Sequence, residues 1–320
     1  MARTLLLILN FCKEKQMKIY LNRQPLKGPW GGGNKTVTEL SEMLQKAGHQ
    51  VVFRLEDDVD IIFCFDPRTN KNGEWYQHFL NYKNDHPQTK IIQRVGDLGT
   101  HGKPELTNLV RQTIQISDYL IFPSKWAKEY IGYEGKNCSV IHNAPLKIFH
   151  EYKKNNKLSD SLNIITHHWS TNPKKGFEYY KFLDTHPDEH LNFTFIGRLP
   201  KNFCFNNSKH VDPTGDNEYL AKEISKSDIY LTASEEEAGA NHVLEAVAAG
   251  LPVVYHSNGG SINNYCHEYG LEYSDFDGLL KSIKEVKENY DNYKEKAMSY
   301  TRTISDALEE YEEIIYAMQS

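Results

Sequence analysis

Apolar residues along this chain fall into two kinds of pattern. Continuous short runs, KIYLN (18–22), VVFRL (51–55), DIIFCF (60–65), KIIQRV (90–95), DYLIF (118–122) and SVIH (139–142), suit strands buried on both faces. Between them, apolar positions recur at the helical period, which leaves one buried stripe. Val37, Leu40, Leu44 and Ala47 form such a stripe and predict a helix over 34–47, with Gly48 just past its end. Leu106, Leu109, Val110 and Ile114 mark the next, and a third is expected near 124–131. The segment EYKKNNKLSDS, between His150 and Leu162, is almost devoid of apolar residues and reads as a linker. The alternation then restarts. NIIT (163–166), a helix from about 175, NFTFIG (192–197), a helix near 217–226, DIYLT (228–232), a helix near 240–249 and LPVVY (251–255) follow in order. Helical spacing returns in Phe276, Leu279, Leu280, Ile283 and Val286, and again in Ile304, Leu308, Tyr311, Ile315 and Met318. Strands separated by helices pair in parallel through right-handed crossovers.

The pattern predicts an α/β chain of two Rossmann-like domains, residues 1–150 and 151–320, facing each other across a cleft. The last helix is a candidate to pack back on the first domain. Such sheets bind ligands beyond the carboxyl ends of their strands, so chemistry is expected in strand-to-helix loops.

Composition narrows the class. Charged residues make up 25 % of 320, an ordinary globular share, and no apolar stretch is long enough to span a bilayer. The start, MARTLLLILNFCKEKQMK, is a poor signal peptide, and Met17 opens a good first strand, so residues 1–16 are expected to be a non-native extension. The five cysteines show no C-x-x-C, which suits free thiols in a cytoplasmic protein. Residues 1–150 hold 20 Lys and Arg against 15 Asp and Glu, while 151–320 hold 17 against 28. The two halves therefore face different partners or differ only in solvated surface. The aromatic residues, 12 % of the chain, form no basic stripe of the kind that binds nucleic acid.

Two stretches carry candidate chemistry. In QPLKGPWGGGNK, Gly28 and Gly31 to Gly33 lie between the first strand and first helix, where bare backbone and a helix N-terminus suit a phosphate. In EEEAGANHVLEAVAAGLPVV, Glu237 precedes a helix and Glu245 lies inside it, with Ala238, Gly239 and Ala240 small between them. Two carboxylates suit sugar hydroxyls, and the helix start suits a phosphate. Dipole capping alone accounts for one glutamate but not for Glu245.

Glu237, seven residues, Glu245, then AVAAGLPVV and the Gly259-Gly260 pair resemble the signature of retaining glycosyltransferases of the family 4 type, which have the GT-B fold. The resemblance runs from Met17 to the end, through GPWGGG, FPSKWAKEYIG, VIHNAPLKIF and HHWSTNPKKGFEYY. It implies that Lys175 contacts the donor diphosphate, that Glu245 holds the ribose, and that Glu237 touches the transferred sugar. It places the N–H groups of Gly239, Ala240, Asn241 and His242 against the phosphates and sugar, with Gly32 and Gly33 approaching from the other domain. The family usually has an Arg shortly before the Lys, where this chain has Trp169 and Ser170. The second cation is then missing or supplied by Lys174 or Arg198.

IIQRVGDLGTHG puts Arg94, Asp97 and His101 at the end of a strand, facing the expected cleft, and Asp97 and His101 are candidates to contact donor or acceptor, or else to organise their loop. Asp58-Val59-Asp60 reads D-x-D but stands at the start of a strand, away from the expected cleft, and His167, His168 and His242 lack a third ligand at metal-site spacing. The expectation is a metal-independent hexosyltransferase needing no cofactor. Its co-substrate would be a UDP- or GDP-sugar and its acceptor a glycan or lipid-linked hydroxyl, with peripheral association at the inner face of a membrane left open. A nucleotide-sugar epimerase and a non-catalytic nucleotide-sugar-binding protein are the alternatives.

Overall fold

The computed structural model describes residues 16–28, 30–186 and 190–319. Residues 1–15, almost all of the expected extension, lie outside that range, as does Cys12.

Two six-stranded sheets, parallel throughout, organise the chain. The first is built from β1 (Lys18–Leu21), β2 (Gln50–Val52), β3 (Ile61–Cys64), β4 (Lys90–Arg94), β5 (Tyr119–Phe122) and β6 (Cys138–Val140), in the order β2-β1-β3-β4-β5-β6. The second is built from β7 (Leu162–His168), β8 (Leu191–Gly197), β9 (Lys209–Val211), β10 (Ile229–Thr232), β11 (Val253–His256) and β12 (Gly270–Tyr273), in the order β12-β11-β10-β7-β8-β9. Helices α1 (Gly32–Lys46), α2 (Tyr76–Asp85), α3 (Pro104–Thr113), α4 (Lys125–Ile131) and α5 (Lys147–Glu151) belong to the first part of the chain. Helices α6 (Phe177–Thr185), α7 (Asn217–Ile224), α8 (Asn241–Ala248), α9 (Ser261–Cys266), α10 (Phe276–Glu288), α11 (Tyr290–Ser299) and α12 (Ile304–Ala317) follow.

Every continuous apolar run contains a strand, but several are shorter than their runs. The VVFRL run pairs only as far as Val52, because its partner β1 offers three residues of register there. Helix α1 starts at Gly32 rather than Asn34, so Gly32 and Gly33 form its first turn, with Gly31 as the cap. Val37, Leu40 and Leu44 are buried as the stripe predicts, whereas Ala47 caps the helix and is exposed. The helix expected from about 175 begins at Phe177, after a 3-10 turn over Pro173–Lys175.

Helix α12 packs against the first sheet. Ile304, Leu308, Tyr311 and Ile315 share one core with Ile19, Leu40, Phe63 and Ile121, and the Ile304 N–H donates to the Pro145 carbonyl at 2.8 Å. The chain thus crosses between the sheets twice, which ties their relative placement to two covalent links.

Candidate active site

In each sheet the strand order reverses once, between β1 and β3 and between β7 and β10. Loops leaving neighbouring strands diverge at such points and open a crevice. Where the two crevices meet lie two adjoining cavities of about 360 and 560 Å³, each lined by residues of both halves of the chain. Gly32, Trp169, Lys175, Glu237 and Gly239 line both.

Lys175 ends the 3-10 turn after β7, a turn begun by the Asn172 side chain accepting from the Lys174 N–H at 3.0 Å. Gly176 follows with φ +66°, and a Cβ there would stand 2.4 Å from the Ala233 carbonyl oxygen. The turn can therefore press against the end of β10, which directs the buried Lys175 ammonium into an ion pair with Glu237. Glu237 is held by its backbone, with its N–H donating to the Gly259 carbonyl at 3.2 Å and its carbonyl accepting from the Ser261 N–H at 2.8 Å. A Cβ at Gly260, φ +68°, would stand 2.7 Å from that same Glu237 carbonyl. This close approach is the structural reason for the glycine pair. Burial raises the Glu237 carboxyl, but the charge and hydrogen bond of Lys175, with His101 and His168, together outweigh it and hold the group below its usual range.

Glu245, on α8, is buried and engaged at both oxygens. Lys35 on α1 donates to Oε1 at 2.5 Å, and His167 Nε2 donates to Oε2 at 2.8 Å. Burial alone would raise this carboxyl, but Lys35 and His167 bring it to about 2. The Lys35 contact crosses between the two halves of the chain. It places a cation one turn from the glycine loop, on the wall of the smaller cavity.

Helix α8 opens at Asn241 with no side-chain cap at Ala240, so its first N–H groups face the cavity uncapped. Asn143, from the loop after β6, donates to the Gly239 carbonyl at 3.1 Å and to Asn241 Oδ1 at 2.7 Å. Asn143 in turn accepts from Arg94 Nη2 at 2.8 Å, and Arg94 Nε donates to the Tyr311 hydroxyl at 3.0 Å. His242 sits at the same helix start. Burial, then the nearby Lys175 charge, hold its ring well below 6.5 and therefore neutral.

Of the residues proposed for the site, Gly32, Lys175, Glu237, Gly239, Ala240, Asn241, His242 and Glu245 line the smaller cavity. Gly33, Asp97, His101 and Ser170 line the larger one. Asp97 is paired with Arg68 and Lys103 and accepts from the Gly99 N–H at 3.0 Å, while His101 Nε2 donates to the Glu235 carbonyl at 2.9 Å. Both thus have loop-organising contacts while standing on the cavity wall. Neither replacement offered for the family's Arg lies on a cavity wall. Lys174 is bound to Glu236, and the Arg198 guanidinium stacks 5.8 Å over the Trp169 ring. Lys35, Arg94 and Asn143 are the site residues that the sequence reading assigned no role. Asp60 accepts from the Lys18 N–H at 2.7 Å, at the start of β1 and so at the opposite end of the sheet. Among the described residues no three His, Cys, Asp or Glu side chains cluster as a metal site would need, and no helix is long and apolar enough to cross a membrane.

Solved structures share this architecture over nearly the whole chain. A sucrose-phosphate synthase from Thermosynechococcus elongatus matches at TM-score 0.67 and 13% identity, covering 95% of this chain and 99% of that one. The fold is GT-B. HepE of Anabaena in complex with UDP-glucose matches at 0.67 and 14%, covering 94% and 100%, and a glycosyltransferase from Rickettsia africae at 0.68 and 12%, covering 95% and 99%. Residues 179–289 match the family model of glycosyl transferases group 1, a span that contains Glu237 and Glu245. No curated protein matches the chain by sequence.

Proposed function

We propose that this GT-B chain moves a hexose-like sugar from a nucleoside diphosphate to an acceptor hydroxyl, without a metal and with retention. The observation that carries the reading is the joint lining of one cleft by Lys175, Glu237, Glu245 and the start of α8, opposite Gly32 and Lys35. HepE, of the same fold, binds UDP-glucose. On this reading the ribose takes the Glu245 end, between Lys35 and His167. The nucleobase lies toward Ile196, Gly197, Thr214 and Gly215, where the wall is largely main chain and apolar.

The difficult step is cleavage of the anomeric C–O bond as negative charge builds on the departing diphosphate. The Lys175 ammonium and the uncapped N–H groups of α8 are already in place for that charge, so little reorganisation accompanies the reaction. Glu237, bound to Lys175, is placed to accept hydroxyls of the transferred sugar. It is less suited to act as a covalent nucleophile, because attack would break its ion pair. A same-face course, with the leaving phosphate taking the acceptor proton, is consistent with that arrangement.

Lys175→Ala or Glu245→Ala is expected to abolish transfer from UDP- or GDP-sugars while circular dichroism stays that of the folded chain, at an unfolding midpoint lowered because each leaves a buried charged partner unpaired. Wild-type turnover by either variant would refute the assignment. Incubating the donor alone and finding an inverted sugar would move the chain to the epimerases.

A further inference from the structure

The charged groups on the wall of the larger cavity are all in ion pairs but one. On the side of the first sheet stand two carboxylates, and three cations already share them. Asp66 Oδ2 meets Arg23 Nη2 at 3.1 Å and Arg68 Nη2 at 2.6 Å, while Asp97 Oδ2 meets Arg68 Nη2 at 3.2 Å and Lys103 Nζ at 3.1 Å. On the opposite side Lys174 is paired with Glu236 and Lys175 with Glu237. Arg94 remains. It is 4% exposed, lines the cavity, and bonds only the neutral Tyr311 hydroxyl and the Asn143 amide oxygen.

A guanidinium stays charged at any working pH and offers five donors, of which these contacts use two. Burying such a charge without a counter-ion is unfavourable by several kcal/mol. Nothing among the described residues relieves it. A ligand that brought negative charge into this cavity would.

We propose that the acceptor carries an anionic oxygen group, a phosphate or carboxylate, which Arg94 binds with help from Arg23 and Lys103. The proposal rests on the transferase reading in that it treats the larger cavity as the acceptor side. The position fits a transfer reaction, because Arg94 holds Asn143, which holds the Gly239 carbonyl, and Gly239 lies on both cavities. An acceptor anchored on Arg94 therefore has its hydroxyls beside the junction where donor sugar would arrive.

The test uses the full chain saturated with whichever nucleoside diphosphate stabilises it, so that Lys175 and the start of α8 are occupied. Calorimetry then compares inorganic phosphate, glucose 6-phosphate and glucose, and a flotation arm compares phosphatidylglycerol with phosphatidylcholine vesicles. Binding of the phosphate probes or of the phosphatidylglycerol vesicles, but not of glucose or phosphatidylcholine, supports the proposal, and which anionic arm binds identifies a soluble or lipid-borne group. Arg94→Met is expected to weaken anion binding by about tenfold or more, a larger loss than in nucleotide affinity, which Arg94 reaches only through Asn143. Arg94→Lys, which keeps the charge, should lose less. Should Arg94→Met fail to fold, Lys103→Ala gives a second reading, a few-fold weaker anion binding at an unchanged unfolding midpoint. Absence of anion binding to the nucleotide-saturated chain, equal binding by Arg94→Met, or a matching loss of nucleotide affinity in that variant would each overturn the proposal. If no nucleotide binds, the transferase reading falls. Phosphate binding lost in Arg94→Met but kept in Lys175→Met would still support the anion site.

Discussion

At the scale of single residues, the informative contact is Lys35 with Glu245. This ammonium bonds the Glu245 carboxylate oxygen to which the proposed function assigns a ribose hydroxyl. A nucleotide entering that pocket displaces or shares it, and the freed charge then stands beside the glycine loop, where a diphosphate would pass. Lys35 is thus placed to serve as the second cation that the chain lacks before Lys175. Lys35→Met is expected to weaken nucleoside diphosphate binding by about tenfold, the scale of one charge-assisted hydrogen bond. Titration calorimetry checks it, and tighter binding by the variant would show that the lysine merely plugs the pocket. A second residue-scale prediction concerns Gly176. Alanine there meets both an unfavourable positive φ and the Ala233 carbonyl at 2.4 Å, so Gly176→Ala is expected to cost roughly 2 kcal/mol or more in chemical denaturation. It should also weaken nucleotide binding by moving Lys175. Unchanged values of both would mean that the turn does not position the lysine.

At the scale of elements, what the sequence revealed depended on how much of each element was buried. The runs in β1, β3, β4, β5, β7, β10 and β11 are covered on both faces and declare themselves. Helix α2 was not foreseen, because Phe79 alone is buried in it. Strand β9 escaped for the same reason, its three residues being exposed or half-exposed at the sheet edge. Helices α9 and α11 offer short or polar stripes. The same logic applies to the site. Lys175, Glu237 and Glu245 stand in local segments whose glycines and helix boundaries could be read in order. Lys35, Arg94 and Asn143 act through partners 210, 217 and 98 residues away. Lys35 and Asn143 look like ordinary helix and loop polarity until the two sheets are brought together, and Arg94, which the sequence puts at the end of a strand facing the cleft, shows no partner there until α12 packs back. Helix α12 supplies one such partner, and it yields a prediction at this scale. Tyr311→Phe keeps the aromatic packing but removes the acceptor of Arg94 Nε, and is expected to lower stability by about 1–3 kcal/mol because a buried charged donor is left unpaired. A urea midpoint equal to wild type would indicate that the guanidinium has found another partner.

At the scale of the whole molecule, the cleft concentrates buried titratable groups, and the shifts of His168, His242, Glu237 and Glu245 act in one direction. His168 and His242 are held well below 6.5, first by burial and then by the charge of Lys175. An unfolded chain protonates both rings as pH falls through 6.5, whereas the folded chain does not, so the unfolded state binds more protons and stability drops. Stability from these rings is complete above pH 6.5 and declines below it. Glu245 adds to the decline further down, since its carboxylate stays ionised in the folded chain until about 2 while its unfolded counterpart protonates near 4.5. Each such group contributes up to about 1.4 kcal/mol per pH unit within its window. Urea unfolding between pH 7.5 and 5.5 should therefore show a falling midpoint before any carboxylate titrates. His242→Asn should flatten that part of the profile, because its removal takes away one of the protons gained on unfolding, the His142, His150 and His168 rings supplying others. A profile unchanged by His242→Asn would mean that the ring is already protonated in the folded cleft. It would then stand as a cation beside Lys175, and the balance of charge facing a bound diphosphate would have to be redrawn.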